Sequence, residues 1–556
     1  MTEYVYDSNN RIIQVKPPDM GPNGISFDYD THGRLVTQTA ADGTEQSYTY
    51  DSRGNRTSYT DGENNTWTYT HDDLGRVVTQ TDPANRTTTY TYTGGCSSCG
   101  GASGQIASVT LPDNRQMFFD YDNNGNLILQ TDPLGHETAY TYDSMGRLVS
   151  VLTEEGRQQT FTYDTLGNML SKTDFGGKTT HYEYDYRGLM TRSWVQAGAA
   201  QDTLVENEYD DLGWLTAVID GKGQAINFLY NNRGQVTRTS HGAYDVNPGP
   251  IHIWNEYDDH GRLARTYAEK RTTPVQNYVD PIEYTYSATT GQLTKKRTSN
   301  DNGAVVRDVD YYYDVNGKLS RLDDWTGDSG NDGHEFAYDD NGKLATYTDF
   351  DDAELAYTYD VLGRPVAMNA YETGNSYGYA YNTAGQLSTI TAPGNRQWGF
   401  TYDNAGRLSN YTWPNGQRTE YTYDDDGRLT DLVHKDGPAS GVRTGWQYVL
   451  GDDGNILRMV DARSAYQADR EYEYDHRDRL IRANWWQTDG SPHLRMVYTY
   501  DAADNMLSQT RYSYTSRVYD AFTDGDYTSS PAWTVESGTW SAATGALVPV
   551  PQSGAR

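Results

Sequence analysis

Phe27-Asp28-Tyr29-Asp30-Thr31-His32-Gly33-Arg34-Leu35 decides how this chain is read, because the phrase returns from end to end. The next copy is Tyr48-Thr49-Tyr50-Asp51-Ser52-Arg53-Gly54. Further copies centre on Asp143 and Gly146, Asp164 and Gly167, Asp360 and Gly363, Asp403 and Gly406, and Asp424 and Gly427. With degenerate copies there are about twenty-two between Tyr4 and Asp501, mostly 21 residues apart. A fixed period of this size marks a repeat architecture.

The phrase has a direct physical reading. Aromatic residues at i and i+2 lie on one face of a strand, and the Thr or Glu between them on the other. Tyr, Phe and Thr suit a pleated, half-buried surface. Asp followed three residues later by Gly marks a type I turn, in which Asp bonds back to the turn backbone. The Gly takes positive φ and forms a bulge that matches the strand twist. Arg-Leu-Val or Asn-Leu-Ile then reads as the returning strand, closed by a second turn such as Asp82-Pro83-Ala84-Asn85 or Asp132-Pro133-Leu134-Gly135. Each repeat is one β-hairpin.

Twenty-two hairpins at roughly 4.8 Å per strand make a sheet on the order of 200 Å wide. Twisted open sheets rarely pass about ten strands without curling or closing. Tyr outnumbers Phe by 49 to 10. Stacked rings with wet hydroxyls suit a thin wall better than a filled bore. The predicted fold is all-β, a long array of antiparallel hairpins in one spiralling sheet, a hollow shell or open barrel. Residues 1–515 form the array and 516–556 a non-repeat tail.

The chain carries 77 acidic and 45 basic residues, a formal net charge of −32. That speaks against nucleic acid or an anionic membrane surface as the main partner, since phosphate neutralisation needs clustered Lys and Arg. The acidity itself follows from Asp being spent on turns. No apolar run approaches the ~20 residues of a membrane-spanning helix, so membrane insertion is not expected. Met1-Thr2-Glu3 runs straight into Tyr4-Val5-Tyr6-Asp7, so a signal peptide is not expected within this stretch. The chain starts inside a repeat, which leads us to expect a segment of something longer.

Departures from the period are informative. Between Asp185 and Asp339 the spacing stretches to 25–27 residues, with additions at 242–250, 271–274 and 326–333. These are expected in the connections after the second strand, projecting from one edge of the sheet. Cys96 and Cys99 lie in Gly94-Gly95-Cys96-Ser97-Ser98-Cys99-Gly100-Gly101. Two cysteines do not complete a structural zinc site, and flanking Gly pairs deny a redox-helix context. A local disulfide clipping the turn is the leading reading, with free thiols the alternative.

Catalytic signatures are absent from the sequence, so no catalytic, cofactor or metal residues are assigned. Asp328-Ser329-Gly330-Asn331-Asp332-Gly333, with Asp339, spaces like a calcium loop, but Gly330 occupies a ligand position and an acidic turn is expected. Trp325, Trp485 and Trp486 offer sugar-stacking platforms or sheet packing.

The phrases Tyr-Thr-Tyr-Asp-Ser-Met-Gly-Arg-Leu-Val at 140–149 and Phe-Thr-Tyr-Asp-Asn-Ala-Gly-Arg-Leu-Ser at 400–409 resemble the tyrosine-aspartate repeats of the RHS family. That family includes bacterial polymorphic toxins, shell subunits of insecticidal toxin complexes, and teneurins. The resemblance covers residues 1–515. It implies a spiralling hollow cocoon that in toxins encloses a C-terminal effector, and in teneurins an extracellular adhesion scaffold. The conserved segment that ends toxin shells, with its aspartyl self-cleavage site, has no counterpart here, so neither cleavage nor a toxin domain carries over. The tail, from Phe522-Thr523-Asp524-Gly525 to Trp540-Ser541, is similar to the opening of a laminin-G- or concanavalin-like jelly roll.

The expected function is a non-catalytic shell or scaffold segment of a large secreted or cell-surface protein, without cofactor. Expected partners are flanking domains or an enclosed C-terminal effector of the same longer protein. The alternatives are an adhesion module for glycan or protein surfaces, and a fibre subunit that self-associates through its sheet edges.

Overall fold

The computed structural model describes residues 2–17, 24–94, 104–198, 200–241, 251–272, 275–300, 303–326, 329–437, 441–463, 469–487 and 492–513, with 539–543 and 546–550. Among them there is no helix. From Glu3–Tyr6 to Met506–Ser513, 44 strands form one antiparallel sheet, and each strand pairs only with its neighbours along the chain. The sheet is therefore 22 successive hairpins. The first and last strands do not meet, so it is not closed. Of the expected tail, only the small hairpin of Thr539–Ala543 and Ala546–Val550 is described.

The hairpin of Glu45–Tyr50 and Arg56–Thr60 shows how sequence makes the unit. The Asp51 carbonyl accepts the Gly54 N–H at 3.1 Å, and the Asp51 N–H donates to the Asn55 carbonyl at 2.9 Å. Gly54 sits at φ +95°, a conformation that side-chain-bearing residues rarely adopt. The Asp51 carboxylate accepts the N–H groups of Arg53 and Asn55, both at 2.9 Å. The ladder then pairs Thr49 with Ser58 but Tyr50 with Arg56, so Thr57 is an extra residue. The same slip recurs at Asp28/Tyr29, Thr141/Tyr142 and Thr401/Tyr402. A bulge adds local twist; repeated at every hairpin, it curls the sheet consistently.

One face of the sheet is aromatic. Tyr48, Tyr59 and Trp67 stack across three strands with ring centroids 5.4 Å apart. The other face carries hydroxyls, paired as Thr49 with Ser58, Thr162 with Ser171 and Thr499 with Ser508 at 2.5–2.7 Å. Buried apolar residues among those described are only Ala41, Val195, Ala217, Val309, Ala392 and Ala483, all small. The accessible surface is 32605 Å², against roughly 20,000 Å² for a compact chain of this mass. A single layer wetted on both faces accounts for both observations. Cross-strand pairs and ladders, rather than a close-packed core, hold it together.

The irregular stretch corrects one expectation. Its extra residues lengthen the strands instead of looping out: Ala200–Tyr209, Leu263–Thr272, Val275–Tyr286 and Ser329–Tyr338 run to 10–12 residues. The segment expected as an acidic turn is strand as well, with Asp332 opposite Asp324 and Gly333 opposite Asp323; Asp328 lies outside the described residues. The stretch 242–250 is also outside them.

Candidate functional site: the seam of the coiled sheet

The bulge creates the chemistry of the repeat. Leu35 pairs with Tyr29 and Val36 is the extra residue, while the ladder to the next hairpin begins only at Thr37 opposite Ser47. The Leu35 carbonyl would be orphaned at a cost. The Tyr50 hydroxyl reaches back one repeat and donates to it at 2.8 Å. Tyr29 does the same to Ile12, Tyr163 to Leu148, Tyr402 to Leu387 and Tyr423 to Leu408, at 2.8–2.9 Å. Tyr is thus required for its hydroxyl as well as its ring.

Arg34 ties the same junction. Its Nε donates to Asp30 at 2.6 Å, its guanidinium lies 4.8 Å over the Tyr50 ring, and its terminal nitrogen donates to the Asp51 carbonyl at 3.0 Å. Asn55 and Asn168 replace it in some repeats and keep only the bond to their own Asp. The Arg34 backbone N–H, then its side chain and the His32 N–H, hold the Asp30 carboxyl at about 2 against partial burial.

All seven predicted turn pairs occupy this geometry. Gly33, Gly54, Gly146, Gly167, Gly363, Gly406 and Gly427 have φ of +74° to +97°. Their N–H groups donate to the carbonyls of Asp30, Asp51, Asp143, Asp164, Asp360, Asp403 and Asp424 at 2.8–3.3 Å. Cys96 and Cys99 lie outside the described residues.

A second set of contacts joins residues far apart in the chain. Asn316 donates to Asp42 at 2.6 Å. Asn341 donates to Asp61 at 2.8 Å and accepts the Gly62 N–H at 3.0 Å. Arg157 reaches the Asp452 carbonyl at 3.1 Å and pairs with Asp426. Lys178 pairs with Asp453 at 3.1 Å, Arg477 with Asp202 at 2.7 Å, and Lys222 with Asp501. Hydrogen-bonded partners across this seam are 274 to 297 residues apart. In strands the spacing is 23 to 25.

That spacing is one revolution of a coil. Aspartate turns of the second revolution sit on the connecting turns of the first, so the two edges of the ribbon meet along a seam. Gly62, Gly176 and Gly221 make room for it: a Cβ there would meet the Asp340 carbonyl at 2.8 Å, Asp453 Cβ at 2.7 Å, and the Ala502 carbonyl. About 24 strands at ~4.8 Å give a wall on the order of 37 Å across. Barrels of 16–18 strands already leave an aqueous channel, so the coil is hollow.

At the seam, burial and then the nearby Asp339 carboxylate push the Glu63 carboxyl up. No cluster of three or more His, Cys, Asp or Glu among the described residues is placed to hold a metal. Open clefts occur among the described residues. One of about 430 Å³ lies at the seam beside Arg115, Phe118, Leu134 and Asn404, and one of about 250 Å³ beside Trp413, His434 and Arg443. Neither is lined by Trp325, Trp485 or Trp486.

The sequence model of the teneurin YD-shell matches residues 101–272 and 282–431, more than half of the chain. The chain belongs to the teneurin YD-shell family. The RHS repeat also matches this YD shell, at 29–66 and 52–87. No curated protein matches it. In solved structures, the YD shell is similar to a TcdB2–TccC3–TEV chain (TM-score 0.56, 15% identity, 92% of this chain and 35% of that one). It is also similar to a TcdB2–TccC3–Cdc42 chain (TM-score 0.53, 14%, 92% and 36%). A third is the Tc holotoxin pore of Photorhabdus luminescens (TM-score 0.52, 14%, 92% and 35%). At these identities the likeness is one of fold. The chain spans about a third of the length of the structures it matches.

The residues that sequence reading left unassigned are the tyrosine hydroxyls, Arg34 and its equivalents, and the whole seam. Arg after the turn glycine recurs visibly as Gly-Arg-Leu, and that signal was available. The seam pairs carry no local signature, because their spacing is set by the diameter of the coil.

Proposed function

We propose that this chain is a non-catalytic wall segment of a larger β-shell in a secreted or cell-surface protein, enclosing or displaying another domain. The supporting observation is the seam: it turns a single sheet into a hollow wall with a continuous side, which a ribbon alone does not provide. The family and the fold of the Tc toxin shells agree with enclosure, and the resemblance to those shells implies a C-terminal domain of the same longer protein as the cargo. Residues 1–515 are proposed as the wall and 516–556 as a separate tail.

The reading is tested by protease protection. A small, protease-sensitive domain fused after residue 556 is digested alone and in the fusion. Slower cleavage in the fusion, abolished by Gly221→Val at the seam, supports enclosure. Equal cleavage in both contradicts it.

A further inference from the structure

Four strands within the wall, Gln116–Tyr121, Leu127–Thr131, Glu137–Tyr142 and Leu148–Thr153, break the pattern of the hydroxyl face. Phe118 stands where other hairpins hold Ser47, Thr68 or Thr160. Leu152 stands where they hold Thr60, Thr81 or Thr173. Ile128 takes the place of Thr57, whose hydroxyl meets Thr49 on this face at 2.9 Å. Phe118 is 48% exposed, Leu152 41% and Ile128 38%. Ladder pairing of Asp120 with Leu129, Leu129 with Ala139 and Ala139 with Leu152 aligns them as one strip, with Phe118 two residues from Asp120 on the same face. The exchange costs the sheet a contact. Thr60 bonds Thr66 and Thr173 bonds Thr179 across the connecting turn at 2.8–2.9 Å, and Leu152, opposite Gln158, forfeits that bond. Exposed apolar side chains grouped in this way mark an interaction surface.

Phe118 also lines the cleft of about 430 Å³, together with Pro133, Leu134 and the Arg115–Asp113 pair at 2.7 Å. Asn404, from an aspartate turn one revolution on, completes the lining, so the cleft belongs to the coiled sheet and not to the ribbon. Ligand clefts span roughly 300–1,000 Å³, and this one admits a large side chain. Three exposed carboxylates border the strip: Asp120, Glu137 and Glu154. Glu137 sits opposite Thr131, which is opposite Phe118, and Glu154 accepts the Glu137 N–H at 3.3 Å. The neighbouring cations are committed elsewhere: Arg115 to Asp113, Arg147 to Asp143 at 2.7 Å, and Arg157 to Asp426 across the seam. Among the described residues, no Lys, Arg or His pairs with Asp120, Glu137 or Glu154. Along Gln116–Tyr121 this face is exposed and the aromatic face half-covered. Side chains splay on the convex side of a curved wall and crowd on the concave side, so the strip lies on the outer face.

We propose that this strip and cleft bind a basic segment of a partner protein carrying one large apolar anchor. The anchor, a Phe, Leu or Trp side chain, fills the cleft between Phe118 and Leu134. Lys or Arg residues flanking it lie over Asp120, Glu137 and Glu154, which gain the countercharges that the wall does not give them. The two parts do different work. A buried anchor in a fitted pocket carries most of the binding energy, while complementary charge at the border sets the encounter rate and the choice of partner. The surface is independent of what the shell holds, and it lies where both revolutions are present.

The test measures binding of the full chain to an array of seven-residue peptides by fluorescence anisotropy. A central Phe, Leu or Trp is flanked by Lys and Arg in random order; control sets replace the anchor with Ser or the flanks with Glu. The expected result is binding to the basic, apolar-anchored set alone. Phe118→Ser with Leu152→Thr restores the residues that other hairpins carry at these places, so the sheet is kept while the strip is lost. This variant is expected to bind at least tenfold more weakly. Asp120→Asn with Glu137→Gln is expected to weaken binding and flatten its dependence on salt. A wild-type chain that binds the basic, apolar-anchored set no better than the controls overturns the proposal. So does affinity that survives Phe118→Ser with Leu152→Thr, since it would be the general attraction of an acidic chain for cations.

Discussion

Arg477 and Asp202 are 275 residues apart and form an ion pair, with the Arg477 Nε 2.7 Å from the Asp202 carboxylate. The Arg477 side chain is almost fully covered, and it also donates to the Thr203 carbonyl at 2.9 Å. Removing Arg477 takes away the donor that spans both Asp202 oxygens and leaves that carboxylate, among the described residues, only His476 Nε2, at 2.6 Å. Arg477→Ala is expected to weaken the seam by about 1–3 kcal/mol. Hydrogen exchange should rise at 200–206 and 475–480 and remain unchanged in hairpins remote from this pair. Uniform exchange across the sheet would deny the pair a local role.

Gly221→Val probes the seam without disturbing a turn conformation, because Gly221 is not among the glycines with positive φ. Its new side chain would strike the Ala502 carbonyl on the next revolution. The expected outcome is an enlarged hydrodynamic radius with unchanged β-sheet circular dichroism. An unchanged radius would mean that the two revolutions do not press on each other there.

Tyr50→Phe keeps the ring under Arg34 and removes the hydroxyl that caps Leu35. A cost of about 1 kcal/mol is expected, read as faster local hydrogen exchange around the 50–56 turn. An unchanged exchange rate around that turn would remove the junction from the explanation.

Gly146→Val isolates backbone strain. A Cβ at Gly146 would meet only Asn126 Oδ1, at 3.7 Å, so space is not the obstacle; φ of +78° is. A loss of roughly 1–3 kcal/mol is expected in denaturant melts. An unchanged midpoint would sink the turn assignment.

The turn carboxylates set a pH dependence with a definite sign. Asp30 is held at about 2, first by the Arg34 N–H; Asp501 is also held at about 2, where Lys222 and Asn505 outweigh burial. Both lie below the ordinary value of 3.8. A depressed folded-state pKa stabilises fully above the unfolded value and is lost as pH falls through the folded one. Thermal stability should therefore hold above about pH 4 and fall towards pH 2. Melts that stay flat to pH 2 would contradict the carboxylate network.

The hairpin and its count were legible because a 21-residue phrase carries its own turn chemistry: Asp51 and Gly54 announce a turn wherever they stand. The curling was legible too, since no flat sheet of 44 strands is stable. A bulge was expected at the turn glycine, but the extra residue at Thr57 was not legible, because Thr57 differs in no way from a paired strand residue, and without it the reach of Tyr50 to Leu35 is invisible. The seam was further out of view. Asn341 and Asp61 meet only because 23 strands complete a revolution, a number set by accumulated twist rather than by any local residue. The long hairpins were misjudged as loops because Gly333 and Asp332 read as turn residues, yet ladder pairing across Asp323 and Asp324 held them as strand.

The most direct measurement is a cryo-electron microscopy reconstruction of the purified chain, with the wall resolved as strands. A hollow coil on the order of 37 Å across at the backbone, with Gly62 beside Asn341 one revolution later, is the predicted result. A solid rod, or an uncoiled ribbon approaching 200 Å in length with no contact between residues some 280 positions apart, would contradict it.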